Sequence, residues 1–329
     1  VSGFTGSNGT AVVTLDDAGL WTDSRYFLQA AEQLEGSGFT LHKENIPGEP
    51  TVLEWLGEVL DEDAVVGVDG RLFSLIEANR IEMFCAQNGF MFAPDFRAAE
   101  AIWTDRPARP MNPAFVHDEA LAGEDVDSKI SRVVDALDAA DADGLLITAL
   151  DEIAWLLNLR GSDVDYTPVV IAFAYVSEDE RVLFIDSEKV TSEVKDHLKK
   201  YGVKIKDYDD IEKFLGKISS TATVMVDPNR VSDALGQAMI CNKTYMASPV
   251  IALKGVKNEC QIAGFRQAML YDGAAMVRMM MWLEQNVANG ITEMDVDRRL
   301  QQERAAYASN RGDSFHMIAG YKDHGTIVH

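Results

Sequence analysis

The sequence predicts an α/β protein with two similar mixed-sheet domains, followed by the opening of a third domain that begins with a long helix. Three observations carry this reading. A pattern of glycine turn, strand, acidic turn, strand, helix and strand occurs twice, offset by about 160 residues, which is too long for a solenoid and suits a duplicated domain. Three prolines, Pro107, Pro110 and Pro113, interrupt the chain between the copies and bar a helix there. After Val256 the apolar spacing becomes that of one long helix.

The first copy runs from Gly6-Ser7-Asn8 into a strand at Thr10 to Thr14, a turn at Asp16-Asp17 and a strand at Gly19 to Asp23. A helix over Tyr26 to Leu34 and a strand at Phe39 to Leu41 follow. The second copy has Gly161-Ser162-Asp163, a strand over Val169 to Val176, a turn at Glu178 to Glu180 and a strand at Val182 to Asp186. Its helix spans Lys189 to Lys200 and its next strand Val203 to Ile205. Val66-Gly67-Val68-Asp69 is echoed by Val224-Met225-Val226-Asp227, so Asp23 should match Asp186 and Asp69 should match Asp227. Hairpin neighbours are antiparallel and crossovers give parallel ones, hence mixed sheets.

In the third region Ile262, Phe265, Met269, Met276, Met279, Met280 and Leu283 mark the helix. Gly290 is its stop signal, and Thr292 with Asp295 suits an imperfect capping box for the next helix. The run Met279-Met280-Met281 reads as core filler rather than a soft-metal site. The expected domains are 1–112, 125–252 and 256–329. Val1 enters directly into Ser2-Gly3-Phe4, and Ile327-Val328-His329 reads as a strand without a stop. The sequence is therefore expected to be an internal fragment, with the start of the first domain missing and the third truncated.

Composition narrows the function. The chain has 329 residues, 47% of them hydrophobic, and a net charge of -23. That charge disfavours nucleic acid and anionic membrane surfaces, which both need clustered Lys and Arg. No apolar run approaches the ~20 residues of a membrane span. Cys85, Cys241 and Cys260 form no CxxC pair and support neither a disulfide framework nor a cysteine zinc site. A reducing, cytoplasmic location is expected.

No HExxH, GxSxG, P-loop or GxGxxG is present. No histidine pair has metal-binding helical spacing, and His197 is expected on a solvated helix face. His316, His324 and His329 cluster in one short stretch, which chance alone could produce. Arg25 is more informative. Asp23 and Asp186 are placed to N-cap their helices. Two residues on, the second copy has Glu188, which a helix N-terminus favours, whereas the first copy has Arg25, which it disfavours. A residue that breaks a local rule in one copy only is a candidate for another task.

At these residues the sequence resembles aminopeptidase P, of the creatinase/prolidase ("pita-bread") superfamily. Val1-Ser2-Gly3-Phe4-Thr5-Gly6-Ser7, Leu20-Trp21-Thr22-Asp23-Ser24-Arg25-Tyr26-Phe27 and Ile102-Trp103-Thr104-Asp105-Arg106-Pro107 are similar to its first domain and linker. The stretch Thr148-Ala149-Leu150-Asp151-Glu152-Ile153-Ala154-Trp155-Leu156-Leu157-Asn158-Leu159-Arg160-Gly161-Ser162-Asp163-Val164 is the longest match and resembles the three-domain form. Lys257-Asn258-Glu259 resembles the opening of the catalytic domain. Ser314-Phe315 and Gly325-Thr326-Ile327-Val328-His329 resemble the region delivering the first active-site histidine. Ala268-Met269-Leu270-Tyr271-Asp272-Gly273 departs from relatives, which often have a His and a basic residue there, and is expected to be a helix-surface difference.

The resemblance implies two creatinase-N-like domains and the start of a pita-bread catalytic domain. It implies removal of the N-terminal residue from peptides with proline second, by a cytoplasmic homodimer with two divalent metal ions, usually Mn²⁺. The implied metal ligands, two Asp, one His and two Glu, lie beyond His329, so no metal is expected on this chain, and Asp313 and His316 are not substitutes. Two functional positions carry over: His329 as the catalytic and substrate-contacting histidine, and Arg25 as a peptide-binding arginine. The alternatives are a prolidase or creatinase relative, against which the Asp151-to-Val164 motif speaks, and a metal-free peptide- or protein-binding module.

Overall fold

A computed structural model describes residues 1–326. In the first unit β1 (Thr10–Val13) and β2 (Ala18–Thr22) form an antiparallel hairpin. The helix Phe27–Gln33 then returns the chain to β3 (Thr40–Lys43), parallel to β2. β4 (Val65–Gly67) and β5 (Met91–Ala93) pair in parallel across the helix Leu75–Asn88, which Ser74 starts with a capping box to Glu77. The centre of this unit is Trp21, buried under a stack with His42 at 4.1 Å and donating from its indole nitrogen to the Pro50 carbonyl at 2.8 Å. The ring lies over the strand, so a Cβ at Gly19 would meet it at 2.5 Å.

The second unit contains β6 (Phe115–Val116), β7 (Gly144–Ile147), β8 (Leu159–Arg160), β9 (Phe173–Ser177), β10 (Arg181–Phe184), β11 (Lys204–Lys206), β12 (Thr223–Val226) and β13 (Asn242–Tyr245). β6 pairs with β8, and the other six form one sheet in the order β11-β10-β9-β7-β12-β13. The central β7 is buried throughout and alternates as a strand must. Leu145 and Ile147 face the core under the helices Val126–Asp138 and Ser192–Lys200, while Leu146 faces the opposite core with Phe184, Leu215 and Leu235.

The duplication is visible in the pairing. β1-β2-β3 and β9-β10-β11 share one antiparallel and one parallel contact in the same order, and β4-β5 matches the parallel pair β12-β13. Asp23, Asp69, Asp186 and Asp227 each follow a strand of these sets, and each accepts the amide two residues ahead at 3.0–3.1 Å. One difference is large. In the second unit β7 sits between β9 and β12, whereas among the described residues no strand bridges β1 and β4. The first unit is thus split into three- and two-stranded sheets, and Val13 and Val65 stay 63% and 56% exposed.

Matching turns dock the two units. Ser74 and Ser232, which each precede a helix, form an antiparallel bridge, with Leu75 N donating to Val231 O and Asp233 N to Phe73 O, both at 2.9 Å. Gly236 leaves room for Leu75, whose Cδ2 would lie 2.3 Å from an added Cβ.

Several local expectations change. Asp23 does not cap the Phe27–Gln33 helix, whose N-cap is Tyr26; it closes the preceding turn instead. Asp186 caps a 3-10 turn, Ser187–Lys189, and Thr191 caps the helix, which starts at Ser192 rather than Lys189. β9 starts at Phe173, because Gly161 to Ile171 folds back on itself.

The third region is helical. Asn258 caps the helix Glu259–Asn286 in a capping box with Gln261, and Gly290 takes φ +78° beyond it. Thr292 and Asp295 form a complete, reciprocal box at the head of Glu293–Ala305, since Asp accepts the N-cap amide as Glu does. The two helices meet at Ala275, Met279 and Leu300; Met280 and Met281 are exposed. The departure at residues 268–273 is part of this contact: Tyr271 stacks on Tyr307 at 4.3 Å and Asp272 pairs with Arg304 at 2.7 Å.

Gly144 supports the six-stranded sheet, since a Cβ there would lie 2.3 Å from the Tyr175 hydroxyl and 2.6 Å from its ring. A buried ring cannot yield easily, so Gly144→Val is expected to cost about 1–3 kcal/mol. Urea unfolding of this variant measures the loss, and unchanged stability would refute the tight contact.

Candidate functional site

Arg25 lies in the turn between β2 and the Phe27–Gln33 helix. Asp23 Oδ1 accepts its Nε at 2.8 Å and Oδ2 accepts its Nη2 at 2.7 Å, a planar two-bond fork. Asn8 Nδ2 donates to the same carboxylate at 2.6 Å. The Arg25 guanidinium, and then Asn8, hold the Asp23 carboxyl well below the usual carboxylate range, and Asp23 raises Arg25 in turn. The guanidinium sits 5.0 Å above the centre of the buried Tyr26 ring, whose hydroxyl bonds Ser7.

This geometry revises the reason for singling out Arg25. The helix begins after Tyr26, so Arg25 stands before its first turn and has a carboxylate partner. It breaks no local rule. Arg71 forms the same fork with Asp69, at 2.9 and 2.6 Å, and also bonds Glu100. The fork is therefore a recurrent turn of the first unit, and it fixes a guanidinium in one orientation.

The histidines separate. His316 Nδ1 lies 2.7 Å from the Tyr166 hydroxyl, with the rings edge to face at 4.4 Å. His324 Nδ1 lies 3.0 Å from Glu293, the first residue of its helix, which also accepts Tyr321 N at 2.6 Å. His324 holds the Glu293 carboxyl below its ordinary value. Asp313 pairs with Arg304 at 3.1 Å. His329 lies outside the described residues. Among the described residues no three His, Cys, Asp or Glu are grouped to hold a metal ion, so a di-metal centre finds no donor set there.

His197 is half-buried rather than solvated: its Nε2 lies 2.9 Å from the Leu157 carbonyl and its ring packs on Tyr201. The long motif from Thr148 to Val164 is a set of internal ties. Thr148 donates to Arg230 O at 2.9 Å, and Asp151 pairs with Lys254 at the approach to the third region. Glu152, buried and pushed up by that burial, receives Ser248 Oγ at 2.5 Å. Asn158 accepts Lys129 Nζ at 2.6 Å and donates to Glu124 O at 3.0 Å. Lys129 is itself buried against Trp155 and pushed down to about 8 by desolvation. Asp163 pairs with Lys189 at 2.7 Å, the two side chains only 0% and 2% exposed.

Comparison with known proteins adds to this geometry. Two models, each of the creatinase/prolidase N-terminal domain, match residues 1–93 and 105–261. Aminopeptidase P2 of Arabidopsis thaliana is 36% identical over 100% of this chain and 51% of its own length. A probable Xaa-Pro aminopeptidase P of Coprinopsis cinerea is 35% identical over 100% of this chain and 56% of its own. The crystal structure of X-prolyl aminopeptidase from Caenorhabditis elegans, described as a cytosolic enzyme with a di-nuclear active site, superposes with a TM-score of 0.90 at 30% identity, over 95% of this chain and 53% of that one. The chain spans about half the length of the curated relatives it matches.

Two measurements test the ties. Lys189→Met leaves Asp163 buried without its cation and is expected to cost about 3–5 kcal/mol, most of which Asp163→Leu in the same chain should restore. Chemical unfolding of the single and double variants decides this; an additive pair would mean the two do not interact. His117, whose amide bonds Asn158 O, is pushed down to about 4 from 6.5 by burial, with Arg160 and Lys129 adding to it. The unfolded chain protonates first as the pH falls, so stability should drop by up to about 1.4 kcal/mol per unit from pH ~6.5 to ~4. His117→Gln should flatten that part of the Tm-against-pH curve.

Proposed function

Because this chain belongs to the aminopeptidase P family of creatinase/prolidase proteins, we propose that it forms the substrate-holding half of an enzyme that removes the N-terminal residue from peptides with proline second. The observation that carries the reading is alignment of the whole of this chain, at 36% identity, with 51% of Aminopeptidase P2, together with the superposition on X-prolyl aminopeptidase. In our reading the domains are 1–112, 125–252 and 256–329, and the whole protein is a cytoplasmic homodimer. No described helix is long and apolar enough to cross a membrane. Two divalent ions, manganese in our reading, belong to the whole protein, and the described residues offer no donor set for them. This chain alone is proposed to be inactive.

The chain's own contribution is holding the peptide and handling a proton. Arg25, oriented by Asp23, offers fixed donors to a peptide carbonyl or carboxylate in the ground and transition states alike. His329 carries an imidazole, a group suited to donating a proton to the developing tetrahedral species.

In the whole protein the two roles should separate. Losing a charge-assisted hydrogen bond costs about 1.5–3 kcal/mol, so Arg25→Ala should raise KM roughly tenfold to a hundredfold with kcat little changed. Arg25→Lys should recover only part, because the fork is lost. His329→Ala should lower kcat by about 10²–10⁴ with metal content intact. Steady-state kinetics on an Xaa-Pro peptide with metal analysis measure both; near-normal kcat in His329→Ala, or loss of metal with activity, would refute its assignment.

A further inference from the structure

The turn from Gly161 to Ile171 is held with more force than a surface loop requires. Its anchor, Asp163, accepts both Lys189 Nζ and Ile171 N at 2.7 Å through Oδ2, while among the described residues its buried Oδ1 has no hydrogen-bond partner. Asn112 from the linker holds Ser162 O at 2.8 Å, and Val169 N bonds Thr167 O at 2.8 Å. At the tip Tyr166 takes φ +61°, a left-handed conformation that is strained for an aromatic residue. Backbone strain and a half-paired buried carboxylate persist only where the surroundings over-determine the shape.

Among the described residues the tip makes a specific contact with the third region. The Tyr166 hydroxyl lies 2.7 Å from His316 Nδ1, thirteen positions before His329. A phenol is a far stronger acid than a neutral imidazole N–H, so the tyrosine donates and Nδ1 accepts, which places the imidazole proton on Nε2. Beyond His316, Met317 packs against the core of Ala275, Met279 and Leu300, and Glu293 holds Tyr321 N and His324. The third region thus anchors the later part of the segment, and the second unit anchors its start.

We propose that Tyr166 is a positioning residue, held out on a rigid turn of the second domain to fix the ring and tautomer of His316 and thereby the start of the segment, over residues 316–324, that precedes His329. The role rests on the aminopeptidase reading, because it concerns the delivery of that histidine.

Two arms test it. In the ¹⁵N-histidine-labelled chain, NMR should find His316 in the Nε2–H form with Nδ1 accepting a hydrogen bond, and Tyr166→Phe should shift the Nδ1 resonance toward that of an unbonded ring nitrogen while leaving the unfolding midpoint nearly unchanged. In the whole protein, Tyr166→Phe should lower kcat by about twofold to tenfold, the worth of one neutral hydrogen bond, with KM unchanged. An unaltered His316 Nδ1 signal in Tyr166→Phe overturns the proposal, as does a shifted Nδ1 signal with unchanged kcat. Wild-type whole protein that does not turn over Xaa-Pro peptides overturns the functional reading by itself, and the NMR arm still decides whether Tyr166 holds His316.

Discussion

The buried ion pair of Lys189 and Asp163 determines where three distant stretches of chain meet. Lys189 ends the 3-10 turn after β10, and its carbonyl receives Ala114 N from the end of the proline-rich linker at 2.9 Å. Asp163 anchors the turn that carries Tyr166, and Asn112 joins linker to turn again. Two charges removed from water are tolerable only while they face each other. The linker, the exit of β10 and the tip that touches His316 are therefore placed by one electrostatic condition.

Around that point the molecule uses a single plan twice. Both units end strands in an aspartate that turns the chain by accepting the amide two residues on, and both start a helix after a serine. The serine turns then dock on each other, so the interface joins like to like. The aspartate turn is structural, and its following residue is free to vary: Arg25 and Arg71 in the first unit, Glu188 and Asn229 in the second. Where that residue is arginine, the carboxylate orients a guanidinium, whose planar fork gives up less side-chain freedom per hydrogen bond than a lysine would.

Much of the fold was legible because its signals are local. Short apolar runs between turn residues marked β2 and β10, the glycine at 290 marked a helix end, and Thr292 with Asp295 marked a helix start. What stayed hidden depends on distance. Nothing near Lys189 announces a carboxylate 26 positions away, and His197 looked solvated because its partner, the Leu157 carbonyl, belongs to another helix end. The long motif was recognisable as letters, yet its polar residues tie the second unit together and to the helix that leads into the third region. Arg25 was noticed for a conflict with a helix dipole that the actual helix start removes, and the fork that gives it a fixed direction could not be read from residue order.

The split sheet of the first unit has a consequence for how copies of this chain behave together. Among the described residues β1 and β4 are sheet edges that carry the exposed Val13 and Val65, and an unpaired edge is a template for another strand, whether from the same protein or from another copy. Against that stands a net charge of -23, which makes every copy repel every other. Repulsion of this kind reaches about 30 Å at 0.01 M salt and about 8 Å at physiological strength. Ionic strength therefore sets how strongly copies of this chain repel one another: dilute buffer keeps the molecules apart, and concentrated salt screens that repulsion.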